Sequence, residues 1–314
     1  MTKFVPMSGL VAALLLPLSF AAPALATDKV KVVTSFSILA DLIRQIGGER
    51  VEVSAFVGPN TDMHVFQPSP GDAKTLLGAD LVIINGLGFE GWADRLVKAS
   101  GYKGELVIAA KGIAPLSTKQ GGHAHGDKGH GHKGDGHARG RQDPHAWHDV
   151  ANVRLYVGNI RDALARADPA GSAHYAARAA AYLAQLDALD AEVKAAFAAI
   201  PNAQRRAITS HDAFAYFGRA YGVTFLAPQG VGGDSEPTAK DVASLIRQIK
   251  RERIRAIFVE NISNPRVIER IAAETGAALG ARLYSDALSE QGGAAESYVA
   301  MIRHNAQTLA AAMK

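Results

Sequence analysis

From Ser172 to Ile200 the chain contains neither glycine nor proline, and Pro201 then ends the run. Tyr182, Leu186, Leu189, Val193, Phe197 and Ile200 step by threes and fours, so they share one face of a helix. At ~1.5 Å per residue such a helix spans about 40 Å, the width of a domain. That length constrains the fold more than any other feature. It predicts a spine over 172–200 with a folded half on either side, an amino-terminal lobe over 27–171 and a carboxy-terminal lobe over 201–314.

Each half reads as strands alternating with helices, which implies parallel sheets built from βαβ crossovers. Val30 to Ser35 is a buried strand. A helix from about Ile38 to Ile46 follows and stops at Gly47-Gly48. Val51 to Val57 is a second strand, Asp80 to Asn85 a third and Leu106 to Ala109 a fourth. Ser69 is placed to cap a helix whose first residue is Pro70. Past Asp143-Pro144-His145-Ala146-Trp147 a helix runs from about Val153 to Arg166, and Ser172 is expected to cap the spine. The second half repeats the first. Ile208-Thr209-Ser210-His211 corresponds to Val33-Thr34-Ser35-Phe36, and Val223 to Leu226 corresponds to Val51 to Val57. The stretch from Glu236 to Asp241 corresponds to Gln67 to Asp72, and Arg255 to Asn261 to Asp80 to Asn85. One more strand, Ala281 to Ser285, ends at Asp286. The fold class is therefore α/β: two lobes, each a mainly parallel sheet flanked by helices, joined by one long rigid helix.

Residues 1–26 read as a cleaved leader. Lys3 is followed by an apolar run to Phe20, and Ala24-Leu25-Ala26 is a small-x-small cleavage site. The run is shorter than the ~20 residues of a spanning helix, and Pro17 interrupts it. The chain has no cysteine, hence no thiol for a lipid anchor or a disulfide. The expected location is the periplasm, without a lipid anchor. The chain carries a net +4, but Lys3 lies in the leader and Lys119 to Arg141 holds five cations against Asp127 and Asp135. The remainder is neutral, with no electrostatic footprint for nucleic acid.

That basic stretch, 120–142, is Gly, His, Lys and Asp with almost nothing apolar, and it reads as a mobile loop. His123, His125, His130, His132 and His137 are candidates there for accessory, low-affinity metal binding. His123-Ala124-His125-Gly126-Asp127 with His130 mimics a hydrolase zinc signature, but that motif needs a preceding strand, which this tract lacks.

The remaining chemistry gathers at strand ends, where open α/β sheets bind ligands. His64 follows the second strand, His145 lies after the fourth, and His211 and Asp286 close strands of the second half. Two residues come from each half, so facing lobes bring all four together. Three imidazoles and a carboxylate match a tetrahedral zinc site, one tight site per chain. Manganese, which prefers more oxygen ligands, fits less well. His148 competes with His145 for the same role. Pro144 and Trp147 favour a turn presenting His145, while His174 and His304 fall on helix surfaces. The imidazoles must be neutral to bind, so affinity should fall as pH drops through ~6.5.

With those residues in place, the chain resembles the zinc and manganese solute-binding proteins of ABC transporters, the ZnuA/TroA-like group, in its zinc-selective branch. The resemblance covers essentially all of the chain after the leader. It rests on Gly58-Pro59 through His64 to Pro68-Ser69-Pro70-Gly71-Asp72, and on Asn85-Gly86-Leu87-Gly88-Phe89-Glu90. It rests further on Asp143-Pro144-His145-Ala146-Trp147, Ser210-His211-Asp212-Ala213-Phe214-Ala215-Tyr216-Phe217 and Tyr284-Ser285-Asp286. It implies one metal in an interlobe cleft, held by His64, His145, His211 and Asp286, and delivery to an ABC permease. Manganese-selective members typically have a carboxylate where this chain has His211. A monomer is expected, not an enzyme, with a periplasmic zinc metallochaperone as a candidate donor. A secreted zinc hydrolase is the first rival, with Glu90, Glu236 and Glu260 as candidate bases. An adhesin on a binding-protein scaffold is the second.

Overall fold

The structure is a computed structural model that describes residues 28–117, 142–232 and 237–314. The leader, the five loop histidines His123, His125, His130, His132 and His137, and Glu236 lie outside the described residues.

The first sheet is four-stranded and wholly parallel, in the order β2-β1-β3-β4. Its strands are β1 (Val30–Phe36), β2 (Val51–Val57), β3 (Leu81–Ile84) and β4 (Glu105–Ile108). Every residue of β3 is buried, as a strand covered on both faces requires. The crossovers carry α1 (Ser37–Gly47), α2 (Pro70–Leu77) and α3 (Ala93–Ser100). α2 begins as expected. Asp72 N–H donates to Ser69 Oγ at 3.3 Å, Ser69 N–H donates to Asp72 Oδ2 at 2.6 Å, and Pro70 takes the first turn.

α4 (Val150–Ala167) leads to α5 (Ser172–Ala198), the 27-residue spine. Ser172 is not its cap. It is the first helical residue, and its hydroxyl donates to Pro169 O at 2.8 Å across a 3-10 turn. Tyr175, Ala179, Tyr182, Leu186, Leu189, Val193 and Phe197 form the buried stripe of α5. The helix packs against α1 and α4 and also meets α9 (Tyr298–Met313), which itself touches α1. One apolar cluster therefore runs through both halves, and a second, including Ile208, Val242, Ile249 and Ile271, lies within the carboxy-terminal half.

The second sheet has the order β6-β5-β7, again parallel, from β5 (Arg206–Ile208), β6 (Thr224–Leu226) and β7 (Ala256–Ile257). α6 (Ala215–Tyr221), α7 (Ala239–Glu252) and α8 (Arg266–Thr275) flank it. The strand expected at Ala281 to Ser285 is reduced to isolated parallel bridges, Ile257 with Leu279 and Glu260 with Leu283. Leu283 is fully buried there while Leu279, Ala281 and Arg282 are exposed, so this edge segment sends one side chain into the core and pairs only at single positions. Even so, it lies beside β7 as β4 lies beside β3, so the two sheets share one strand order. Thr238 also repeats Ser69, accepting from Asp241 N–H at 3.2 Å to open α7.

Candidate metal centre

Four loops converge between the carboxyl ends of the two sheets. His64 sits in the turn after β2, where its N–H donates to Asp62 Oδ1 at 2.8 Å. His145 immediately precedes a 3-10 turn, Ala146–His148. Asn85 Nδ2 donates to Pro144 O at 3.1 Å and pins that segment to the first sheet. His211 lies three residues past the end of β5 and pairs with Gln229 in a parallel bridge. Asp286 follows Ser285, whose carbonyl accepts the Trp147 indole N–H at 3.0 Å. That last bond crosses between the halves.

The sequence-predicted residues His64, His145, His211 and Asp286 are brought together, each offering an atom within 4.8 Å of the others. Asp286 is the hub. Its Oδ2 lies 3.0 Å from His64 Nε2 and 3.2 Å from His211 Nε2, and its Oδ1 lies 3.5 Å from His145 Nε2. These separations bracket the roughly 3.3 Å edge of a tetrahedron with bonds of ~2.0–2.1 Å. His145 Nε2, His211 Nε2 and Asp286 Oδ1 are buried without a hydrogen-bond partner. They face a common point without satisfying one another, which is how a donor set around a cation is arranged.

Two carboxylates behind the centre fix which nitrogen points inward. Asp143 Oδ1 lies 2.7 Å from His145 Nδ1, and Glu260 Oε2 lies 2.6 Å from His211 Nδ1. The Asp143 contact is a hydrogen bond and the Glu260 contact a close ion pair, and a proton kept on Nδ1 beside either carboxylate leaves the Nε2 lone pair facing the centre. Glu260 is itself held by Ser210 and His211 N–H, at 2.7 and 3.0 Å on Oε1. Sequence reasoning missed both roles. Asp143 was read only as part of a motif, and Glu260 only as a candidate base. The available signal was the strand alignment, which sets Glu260 beside Ser210-His211.

The carboxylates also control protonation. Burial alone would depress the His145 imidazolium, but Asp286 and Asp143 outweigh it and raise its pKa to about 9. His211 likewise overcomes burial, through Glu260 and Asp286, and is raised well above the ordinary histidine value. Asp286 is pushed up by burial but held well below the usual carboxylate range by His145 and His211. Proton competition with a bound metal therefore extends to about pH 9, not to the ~6.5 of an unperturbed imidazole.

His148 does not join the four. Its ring is fully buried 4.5 Å from the ring of Phe214, and both nitrogens lack partners. Burial first, and then the neighbouring His145 charge, lower its pKa to about 3, so it stays neutral. His174 and His304 bond the backbone carbonyls of Gly47 and Arg282 at 3.1 and 2.9 Å. Glu90 is buried and occupied by Ser35 Oγ at 2.6 Å and by the Asn85 and Gly86 amides, which leaves it no role as a base at the centre.

The profile of one family, described as zinc-uptake complex component A, periplasmic, matches residues 32–312. The manganese-binding lipoprotein MntA of Halalkalibacterium halodurans is 33% identical over 282 residues, covering 90% of this chain and 87% of its own. The iron-binding protein YfeA of Yersinia pestis is 30% identical over 288 residues, covering 92% and 88%. Among solved structures, the periplasmic zinc-binding protein TroA of Treponema pallidum superposes with a TM-score of 0.81 at 29% identity. That match covers 91% of this chain and 99% of that one. Among the described residues, no helix is long and apolar enough to cross a membrane.

Proposed function

The chain belongs to the ZnuA/TroA-like family of periplasmic metal-binding proteins that serve ABC transporters, and from that premise we propose that it captures one zinc ion and delivers it to an ABC permease. His64, His145, His211 and Asp286 are the proposed ligands, with the lobes over 27–171 and 201–314 meeting across the spine. The observation that carries this reading is the buried, mutually unsatisfied set of two Nε2 atoms and Asp286 Oδ1, completed by His64 at the edge. Four protein ligands close a tetrahedral sphere and leave no position for a reactive water, which suits carriage over catalysis. Asp143 and Glu260 orient the ligands of the cargo.

The identity of the cargo rests on donor chemistry. Three nitrogens and one carboxylate suit zinc, whereas manganese favours a richer oxygen set. Relatives named for manganese and iron make those ions the competitors to test. Competition against a chelator should show one tight zinc per metal-free chain, bound far more tightly than manganese, and lost in His145→Ala. His211→Asp replaces a nitrogen by an oxygen donor and should narrow the zinc preference by roughly tenfold or more. Equal affinities for the two metals in the wild type would overturn the zinc assignment. A tight site surviving in His145→Ala would overturn the ligand set.

A further inference from the structure

Solvent reaches the centre at His64, the least buried of the four, and does so from two sides. On one side His64 lines a cavity of about 520 Å³ walled by Phe66, Leu87, Phe89 and Trp92 together with the amides of Gln67 and Gln142, and the charged side chain on that wall is Arg95. On the other it lines a smaller cavity of about 160 Å³, shared with His211 and bounded by Asp62, Gln229, Ser263 and Asn264. The charge there is the Asp62 carboxylate. A hydrated dication meets amides at both mouths but opposite charges, Arg95 at one and Asp62 at the other. Aromatic faces cannot take the place of its water, and a guanidinium repels it. A carboxylate attracts it, and amide and hydroxyl oxygens replace hydration water one ligand at a time.

We propose that the Asp62 opening is the route of the cargo and an encounter site for a hydrated divalent transition-metal ion. The ion pauses on the oxygens of Asp62, Gln229, Ser263 and Asn264, sheds water, and steps inward to His64 and His211. The proposal rests on the metal-capture reading above and deepens it. Asp62 joins the two stages physically. Its Oδ1 accepts the His64 N–H at 2.8 Å, so the attracting charge is fixed to the backbone of the first imidazole the ion meets. Both imidazoles on this cavity belong to the centre, so an ion held here needs no second passage to reach them.

Stopped-flow mixing of zinc with the metal-free full chain tests the route. Asp62→Asn keeps an oxygen for the His64 N–H and removes only the charge. Its association rate should fall about tenfold at low ionic strength and lose most of its salt dependence. Arg95→Gln at the other mouth should leave the rate unchanged. Asn264→Trp narrows the opening and should slow association and dissociation by one factor, leaving the equilibrium affinity intact, which a purely structural role would not do. The route is overturned if Arg95→Gln accelerates binding while Asp62→Asn is silent, or if Asn264→Trp changes neither rate. In those cases tight binding persists and the proposed function stands. A wild-type chain without a tight site would overturn both.

Discussion

Replacing Glu260 by glutamine tests how the carboxylates behind the centre act. Glu260 is 1% exposed. Its Oε1 accepts two backbone N–H groups and its Oε2 faces His211 Nδ1 at 2.6 Å. Glutamine keeps the shape, but its carbonyl can serve only one of those sides. With the oxygen on the backbone amides, its NH2 points at Nδ1. That nitrogen must then accept, the ring proton moves to Nε2, and Nε2 no longer offers a lone pair to the metal. With the amide flipped, two backbone donors face an NH2 at a cost of about 1–3 kcal/mol. Either arrangement should weaken metal binding about 10–100-fold, equivalent to about 1.4–2.8 kcal/mol. A second effect opposes this one. Glu260 is the foremost charge raising the His211 pKa against its burial, so the variant has less proton to expel. Proton competition weakens binding below the folded pKa of the histidine. Relief from it therefore helps the variant most in acid, and its deficit should widen as pH rises, by up to about one decade per unit. Chelator competition at pH 6, 7 and 8 measures the deficit. Calorimetry in buffers of different ionisation enthalpy counts the protons, and the one from His211 should disappear in the variant. Parity at pH 8, or a deficit largest at pH 6, would refute the tautomer argument.

Without metal, stability itself should track the same groups. The folded His145 pKa of about 9 exceeds the ordinary 6.5, so its contribution is complete below ~6.5 and lost as pH rises through about 9. Asp286 is depressed, so its contribution is present above ~3.8 and lost only as pH falls below that. The denaturation midpoint of the metal-free protein should thus fall between pH 6.5 and 9, and a flat or rising profile would contradict the ion-pair network. His148→Leu removes two unpaired buried nitrogens and should be neutral or stabilising by up to about 1–2 kcal/mol with metal affinity unchanged, as paired chemical melts and titrations would show. Leu186→Ala in the spine empties a fully buried position and should cost about 2–5 kcal/mol in urea unfolding, whereas a loss under 1 kcal/mol would mean that the spine tolerates a void.

The parts legible in the sequence were those governed by local chemistry. Gly47-Gly48 marked a helix end, Ser69 before Pro70 marked a start, and the three-four spacing through Leu186 and Leu189 marked the spine. The four centre residues were legible because strand ends are where such sheets place ligands, a rule that needs topology but not coordinates. Features that depend on register were not. Glu260 meets His211 because β5 pairs with β7 through Ile208 and Ile257, three positions before His211 and Glu260, and the chains continue side by side. Leu279 and Leu283 pair only singly, with Ile257 and Glu260, a reduction of the edge strand that the residue types do not announce. His148 illustrates the same limit. Three residues from His145 it looked equivalent, and only the 3-10 turn at Ala146–His148 decides that one ring faces the centre and the other faces Phe214.

The frame around the centre implies that capture is an exchange of charges at fixed positions. Trp147 donates to Ser285 O at 3.0 Å, Tyr298 Oη donates to Trp147 O at 2.8 Å, and Tyr298 N–H donates to Asp41 Oδ2 at 2.8 Å. Leu288 N–H donates to Ser37 Oγ at 3.0 Å and Leu116 N–H to Tyr216 Oη at 2.9 Å, so both ends of the cleft are tied across the halves. The four donor atoms already lie within 4.8 Å of one another, so no large closure is needed to assemble them. Inside that frame, Asp286, Asp143 and Glu260 stabilise either of two occupants. Without metal they hold protons on His145 and His211. With a dication on the proposed ligands those two protons would leave and the ion would take their place, so the buried net charge would be unchanged. Burying an unmatched charge is the largest cost that a closed metal site faces, and this exchange avoids it in both directions. The same balance makes acid the natural opponent of binding, because two protons returned to His145 and His211 remove two of the proposed ligands and together replace the charge of the dication.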